Sequence, residues 1–206
     1  MFSSSLFFAP PIFRKLYPGV TWERNPKEKT LYLTFDDGPD PEITPWVLQE
    51  LNRFNAKATF FCIGQNVERN TQTYSDIIDS GHTTGNHTYS HLNGWKTNNQ
   101  IYLQDVKLFS AAGSRMLFRP PYGKIRFSQL DATKQLGYEV IMWSVLACDW
   151  DPRLNRELAF ASLCKYSKPG SILVFHDSQK AASNLKVLLP KVLEYFSQQG
   201  YTFAVL

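Results

Sequence analysis

Two adjacent carboxylates, Asp36 and Asp37, stand directly before a Gly-Pro pair. An Asp-Gly-Pro run by itself is typical of a turn. Neighbouring carboxylates repel each other, however, so the pair is costly unless a cation lies beside them. A divalent metal would resolve this conflict, with one carboxylate as its ligand and the other free to accept a proton. The pair therefore predicts either a turn or part of a metal-assisted acid–base site.

Two histidines, His87 and His91, are separated by three residues. If their segment were helical, both side chains would lie on one face and could reach one ion. A chance pair of surface histidines is the alternative. His82 has no partner at such a spacing, and we interpret it as structural.

Arg119 is followed by Pro-Pro-Tyr-Gly, ending at Gly123. The two prolines fix the backbone, and the glycine permits a sharp turn or a close backbone approach. An arginine held at such a place can clamp a carboxylate, and a neighbouring backbone N–H can stabilise a developing oxyanion. A rigid surface turn is the alternative.

Two more polar pairs follow apolar segments, Asp149-Trp150 and His176-Asp177. Taken alone, the first is a charged loop with one aromatic residue. The histidine of the second ends an apolar run over residues 171–175, where a satisfied polar residue is the ordinary interpretation. These pairs gain meaning only from where they lie relative to the other motifs.

The elements that must position these residues are short β-branched or aromatic runs alternating with longer amphipathic ones. The predicted strands are residues 30–35, 58–63, 82–85, 117–119, 139–144, 171–175 and 202–205. The clearest predicted helices are residues 43–54, 98–112 and 185–199, where apolar residues recur at helical spacing. This alternation predicts an α/β fold of parallel strands joined by helical crossovers. An open doubly wound sheet is one option, but about seven strands in series favour a distorted (β/α) barrel.

All five motifs come directly after predicted strands. In a parallel barrel those strand ends share one face, where active sites form. In an open sheet they would be spread along an edge. The shared placement therefore favours both the barrel and a single active site.

The motifs together resemble those of the polysaccharide deacetylases of carbohydrate esterase family four, which share the nodulation-factor deacetylase homology domain. The resemblance covers about Lys29 to Leu206 in the order and roughly the spacing of that family. We therefore expect an N-terminal arm over residues 1–28 that packs on a catalytic domain over residues 29–206. The matching segments are Phe35-Asp36-Asp37-Gly38, His87-Thr88-Tyr89-Ser90-His91, Arg119-Pro120-Pro121-Tyr122-Gly123, Asp149-Trp150 and Val174-Phe175-His176.

The resemblance implies roles for the first motifs. Asp37, His87 and His91 match the ligands of a divalent metal, usually zinc, with Co²⁺ or Ni²⁺ as alternatives. Asp36 matches the general base, and Arg119 matches the residue that orients this base.

The later motifs are also given roles by the resemblance. His176 matches the general acid, and Asp149 matches the residue that supports it. Trp150 would wall the site, and the Tyr122 backbone N–H would donate to the oxyanion. Val174 stands where leucine is common in the family, against the acetyl methyl group.

The activity implied is metal-dependent hydrolysis of acetyl groups on an N-acetylated glycan. Water activated by the metal would attack with Asp36 as base, and His176 would protonate the leaving amine. We expect an N-acetylglucosamine-containing glycan of chitin-oligomer or peptidoglycan type, with Trp95 and Trp150 as candidate stacking surfaces. Three alternatives stay open: an acetyl xylan esterase, a metal-dependent hydrolase of small cyclic amides or ureides on a related barrel, and a non-catalytic carbohydrate-binding module.

Composition excludes several other classes. The 206 residues suffice for one domain, and a net charge of +4 with scattered charges does not indicate a nucleic-acid partner. Three cysteines without CxxC spacing predict neither a disulfide framework nor a thiolate zinc site. No apolar run is long enough to span a bilayer, and residues 1–11 make a poor signal peptide. These features favour a cytoplasmic or peripheral location; they leave the oligomeric state open.

Overall fold

Helices and strands alternate along the computed structural model, which describes residues 7–8, 11–25, 28–111 and 113–206. The strands are β1 Thr30–Asp36, β2 Ala58–Cys62, β3 Thr83–Asn86, β4 Leu117–Phe118, β5 Glu139–Val140, β6 Val145–Leu146, β7 Ile172–His176 and β8 Thr202–Phe203. The helices are α1 Pro11–Leu16, α2 Ile43–Arg53, α3 Gly64–Arg69, α4 Thr71–Asp79, α5 Asn99–Leu108, α6 Phe127–Gln135, α7 Arg156–Tyr166 and α8 Ala182–Gln198, and a 3₁₀ turn spans Pro121–Gly123.

The strands form a curled half-barrel in the order β5-β4-β3-β2-β1-β7-β6, and β8 pairs with the start of β1. Every ladder between these strands is parallel. The predicted barrel of about seven parallel strands is therefore confirmed. β1 lies between β2 and β7 in this order, so its carboxyl end, where Asp36 stands, is flanked by both strands.

The strand predicted over residues 139–144 is wrong in its extent. The chain pairs with β4 only over β5, then crosses to the opposite edge and pairs with β7 over β6. The connecting residues turn carbonyl oxygens toward Arg119, whose guanidinium donates to Ile141 O and Met142 O. A buried cation thus takes carbonyls that a continuous strand would have used in its ladder, and Asp149 follows β6 rather than one long strand.

The two faces of β1 have different tasks. Leu31, Leu33 and Phe35 pack in the largest apolar cluster, which also contains the buried faces of α2 and α8. The residues between them point to the other face, because side chains alternate along a strand. There Thr34 and Asp36 accept hydrogen bonds from a single arginine. One face of β1 therefore packs in the core, and the other face carries Asp36.

The three predicted helices correspond to α2, α5 and α8, and their ends differ from the predicted ones by at most four residues. Five other helices were not individually predicted, of which α3 is only six residues long and α6 buries few apolar side chains. The weak amphipathic patterns of α6 and α7 hide these two helices from a periodicity argument, because helical spacing is detected through its apolar face. None of the described helices is long and apolar enough to cross a membrane.

The prediction for the N-terminal arm falls partly outside the described residues. Phe7 is buried in the main cluster, and its carbonyl accepts the Leu146 N–H at 2.9 Å. Thr21 exchanges backbone hydrogen bonds with Val140 O and Met142 N. These described residues contact the segment that carries β5 and β6, and the domain division at Lys29 stays a prediction.

Candidate active site

The carboxyl ends of β1 and β7 bring together the first and last motifs. Asp36 and His176 are partners in the parallel register of these strands, and so are Thr34 and Val174. Partners in register are neighbours on one face of a sheet. Asp36, Val174 and His176 all line a cleft of about 480 Å³.

The loop after β3 carries the two motif histidines, and it does not form the helix that would have placed both on one face. Residues 87–91 have no helical turn, and Thr88 and His91 have positive φ angles of 62° and 58°. The loop is held instead by the buried carboxylate of Asp105 on α5, which accepts the N–H groups of Tyr89 and Ser90 at 3.0 and 2.9 Å. Histidines at this spacing meet here through a fixed loop.

The side chains of Asp37, His87 and His91 lie close together beside this loop. Their ligand atoms all lie within 4.8 Å of one another, and Asp37 Oδ1 is 3.1 Å from His91 Nε2 and 3.6 Å from His87 Nε2. Burial raises the pKa of Asp37, but the His91 hydrogen bond and nearby imidazoles outweigh it, so the pKa is well below its usual range. This group can hold a metal ion.

His87 is prepared as a neutral ligand. Burial lowers its pKa to about 4, despite the opposing charge of Asp36. Its Nδ1 lies 2.8 Å from the Arg119 carbonyl oxygen, an acceptor, so Nδ1 carries the proton. The lone pair is therefore on Nε2, the atom that faces Asp37. Such a second partner is the usual way in which a ligand histidine is oriented.

Arg119 is fully buried behind the cleft and does not line it. Its Nη1 donates to Asp36 Oδ1 and Thr34 Oγ1, both at 2.7 Å. The guanidinium carbon lies 4.1 Å from the centre of the Phe61 ring. Burial lowers the pKa of Arg119, while Asp36 opposes that shift. The arginine therefore fixes one oxygen of Asp36, and no described residue donates to the other.

His176 is paired with the buried carboxylate of Asp149. Its Nδ1 is 2.8 Å from Asp149 Oδ1, and its backbone N–H donates to Oδ2 at 2.9 Å. Burial acts to lower the pKa of His176, but Asp149 and the aspartates of β1 raise it to about 9. Asn184 on α8 holds the Asp149 loop by donating to the carbonyls of Asp149 and Asp151. His176 is thus a protonated imidazole at neutral pH.

The 3₁₀ turn places Tyr122 on the rim. Tyr122 has a φ of 60°, and its ring lies 4.6 Å from that of His91. No described residue accepts a hydrogen bond from its backbone N–H. Gly123, also at positive φ, lies against Trp143, where an added Cβ would be 2.5 Å from the ring. The turn is locked by this contact and by the Gly123 N–H bond to Pro120 O.

The structure brings most of the predicted site residues to one cleft. Asp36, Asp37, His87, His91, Tyr122, Trp150, Val174 and His176 line it, and Arg119 and Asp149 are buried behind it. The ring of Trp150 packs edge-on against His176 at 4.9 Å. Trp95 is not part of the lining and is half exposed.

Four further lining residues were missed from the sequence: Lys124, Trp143, Leu146 and Lys180. Leu146 was hidden because β6 was not recognised. Trp143 was assigned to the predicted strand over residues 139–144, whereas β5 ends at Val140. Lys124 directly follows the predicted turn, and its position there was the one available signal.

Asp177, next to His176, does not enter the cleft. Its buried carboxyl lies against Gly38 and accepts a hydrogen bond from Thr44 at 2.5 Å. Burial raises its pKa well above the usual range. Gly38 leaves room for this contact, because an added Cβ would overlap the carboxyl group. Packing against Asp177 therefore requires a glycine at position 38.

Comparison with known proteins places these features in a family. Residues 23–141 match the family model described as polysaccharide deacetylase. The chain is 36% identical over 195 residues to a peptidoglycan-N-acetylglucosamine deacetylase of Bacillus cereus, covering 89% of each chain. It is 34% identical over 158 residues to a chitooligosaccharide deacetylase of Azorhizobium caulinodans, covering 73% of this chain and 74% of that protein.

A solved structure supports the same assignment. The crystal structure of a peptidoglycan N-acetylglucosamine deacetylase superposes with a TM-score of 0.80 at 29% identity, covering 96% of this chain and 94% of that one. The chain therefore belongs to the polysaccharide deacetylase family, whose members are hydrolases that remove acetyl groups from glycans.

Proposed function

We propose that this chain hydrolyses the N-acetyl groups of an N-acetylglucosamine-containing glycan, of chitin-oligomer or peptidoglycan type. The observation that carries the proposal is the pairing across one cleft of a carboxylate, Asp36, with a protonated imidazole, His176. Each is fixed by its own buried partner, Arg119 or Asp149. A base and an acid held on either side of a reacting carbonyl are what amide hydrolysis needs.

Asp36 is proposed as the general base. Arg119 occupies Oδ1, so Oδ2 is the oxygen that accepts a proton from the attacking water. The arginine fixes the orientation of the carboxylate through this hydrogen bond. Hydrogen bonds from Arg119 to Thr34 and to the Met142 carbonyl hold the guanidinium in place behind the cleft.

His176 is proposed as the general acid. Its Nδ1 is engaged by Asp149, so the proton for the leaving amine is carried on Nε2. Because its pKa is raised to about 9, the imidazole is charged at neutral pH and ready to donate. Asp149 therefore both orients the ring and keeps it protonated.

Asp37, His87 and His91 are proposed to hold a divalent cation, with zinc preferred over Co²⁺ or Ni²⁺. The donor set fits: a carboxylate and two imidazoles are zinc ligands, and three protein ligands leave a coordination position open. The Nε2 lone pair of His87 and the ionised Asp37 need no proton removed before binding. When bound, such a cation polarises a carbonyl oxygen and makes water more acidic.

Two more parts of the cleft fit an acetyl group. The Tyr122 backbone N–H, which has no described acceptor, is proposed to donate to the carbonyl oxygen as negative charge develops. Val174 and Leu146 supply an apolar wall for the methyl group, and Trp150 covers His176 from one side. These residues discriminate the small acetyl from larger acyl groups by space.

A panel of acetylated substrates tests this function. Acetate release should be measured on N-acetylglucosamine oligomers, peptidoglycan and acetylated xylan at matched acetyl concentration, with zinc and with a chelator. We expect release from the two N-acetylated glycans and reversible loss with the chelator. A clear preference for acetylated xylan would contradict N-deacetylation and favour the esterase alternative.

A further inference from the structure

A rim of aromatic and basic side chains beyond the cleft has no part in the proposed chemistry. Trp95 is 51% exposed, a large fraction for an indole. The Lys124 ammonium lies 5.5 Å from the centre of its ring, and Lys124 also lines the cleft. Lys124 therefore joins the exposed tryptophan to the site that holds Asp36 and His176.

The Trp95 loop is tied down along its length. The indole N–H donates to Ile125 O at 3.1 Å, and the Trp95 carbonyl accepts from Arg126 at 2.7 Å. Gly94 next to it donates to Lys124 O and accepts from Gln129, which is fully buried. An exposed ring held this way offers a flat surface at little entropic cost.

Lys124 carries a charge that the protein itself does not neutralise. Among the described ion pairs, none involves Lys124. Its ammonium lies 5.5 Å from the centre of the Trp95 ring, and the residue lines the cleft. A cation beside an aromatic platform matches a sugar ring that carries a carboxylate.

We propose that Trp95 and Lys124 form a subsite for an acidic sugar that neighbours the N-acetyl sugar being hydrolysed. The apolar face of the sugar ring packs on the indole, and its carboxylate pairs with the Lys124 ammonium. This subsite rests on the proposed function, because it places the strand across the Asp36–His176 cleft. It makes Lys124 a specificity-determining residue for anionic over neutral glycans.

The test compares two tetrasaccharides: a neutral N-acetylglucosamine oligomer, and an alternating strand in which every second sugar carries a lactyl carboxylate. Lys124→Gln should raise KM for the acidic strand, relative to KM for the neutral oligomer, about threefold at low salt. Lys124→Arg should restore the preference. Trp95→Ala should raise KM for both substrates about fivefold.

A matched control exists on α8, where the Lys186 ammonium lies 5.8 Å from the centre of the Trp46 ring. Lys186 does not line the cleft, so Lys186→Gln should leave both KM values unchanged. Equal effects of Lys124→Gln on the two strands, or an equal effect of Lys186→Gln, would overturn the subsite.

Binding separates this proposal from the proposed function. The dissociation constants of both strands are measured on an Asp36→Asn background, with and without Lys124→Gln. A Lys124-dependent preference for the acidic strand, together with no acetate release by the chain that retains Asp36, would support the subsite and refute the deacetylase activity. Acetate release without any Lys124-dependent difference in binding would refute the subsite alone.

Discussion

Asp36 and His176 are register partners on the adjacent parallel strands β1 and β7. Each ends its strand, and each points to the face that lines the cleft. A ladder of backbone hydrogen bonds thus sets the spacing between the proposed base and the proposed acid. Because this spacing depends on register, it is far stiffer than one set by two loops.

His176→Ala should affect substrates according to their leaving group. An amine leaves poorly unless it is protonated, whereas an activated phenol leaves without help. We expect kcat for an N-acetylglucosamine oligomer to fall about 10²-fold or more, and kcat for an activated aryl acetate to fall much less. Metal content, measured as a control, should stay at the wild-type level. Equal losses on the two substrates would argue against proton donation by His176.

Asp149→Asn should lower the pKa of His176 from about 9. Burial lowers this pKa, and without the Asp149 carboxylate only the weaker charges of Asp37 and Asp36 oppose that lowering. His176 is active as an acid below its pKa, and the alkaline limb of kcat/KM should therefore move to lower pH. NMR titration of the imidazole gives the pKa directly. Asp151→Asn, in the same loop, is the matched control and should leave both values in place.

The same shift links pH to stability. The folded pKa of His176 lies above its unfolded value of about 6.5, so its ion pair stabilises the fold fully below that value. The stabilisation is lost as the pH rises through about 9. In the Asp149→Asn variant this loss of unfolding free energy between about pH 6.5 and 9 should become smaller, because the largest contribution to the raised pKa is removed.

Substitution of the two adjacent aspartates should have different effects on metal content and on kcat. Asp37→Asn should lower the metal content, because it removes the one carboxylate of the proposed ligand group. Asp36→Asn should retain the metal and lose kcat by about 10²-fold or more, as expected when a general base is removed. Elemental analysis and acetate release on the same samples check both. Equal metal loss in the two variants, with activity regained in excess zinc, would show that the roles are misassigned.

Histidine variants sharpen the metal test. A His87→Ala, His91→Ala double variant should lose nearly all bound metal. His82→Gln is a suitable control, since His82 Nδ1 accepts the Ala58 N–H away from the cleft. Full metal occupancy in the double variant would refute the site.

Gly123→Ala should destabilise the protein more than Gly200→Ala. Both glycines have positive φ, at 65° and 74°, so backbone strain should lower the free energy of unfolding of each variant by about 1 kcal/mol. Only at Gly123 would the new Cβ meet a ring, that of Trp143 at 2.5 Å, whereas nothing lies within 4 Å at Gly200. We expect a further 1–3 kcal/mol, roughly, for this overlap. Denaturant unfolding of the two variants gives the difference, and equal losses would show that the turn is not locked by Trp143.

The sequence by itself determined the strand–helix alternation and the position of each motif directly after a strand. Both are local properties: a buried parallel strand is a short apolar run, and polar residues after it must reach solvent or a cleft. β1 and β7 were predicted to within one residue for this reason. β6 was not predicted, because a strand of two residues is too short for a local pattern.

Tertiary structure alone decided how these pieces meet. It placed β1 beside β7, which makes Asp36 and His176 neighbours although they are far apart in sequence. It shaped the His87–His91 loop through Asp105, a carboxylate on a later helix. It also divided the predicted 139–144 strand, because the Arg119 guanidinium takes carbonyls from that segment. Each of these outcomes depends on strand register or on a buried charge finding its partner, and such long-range pairings leave no periodic pattern in the chain.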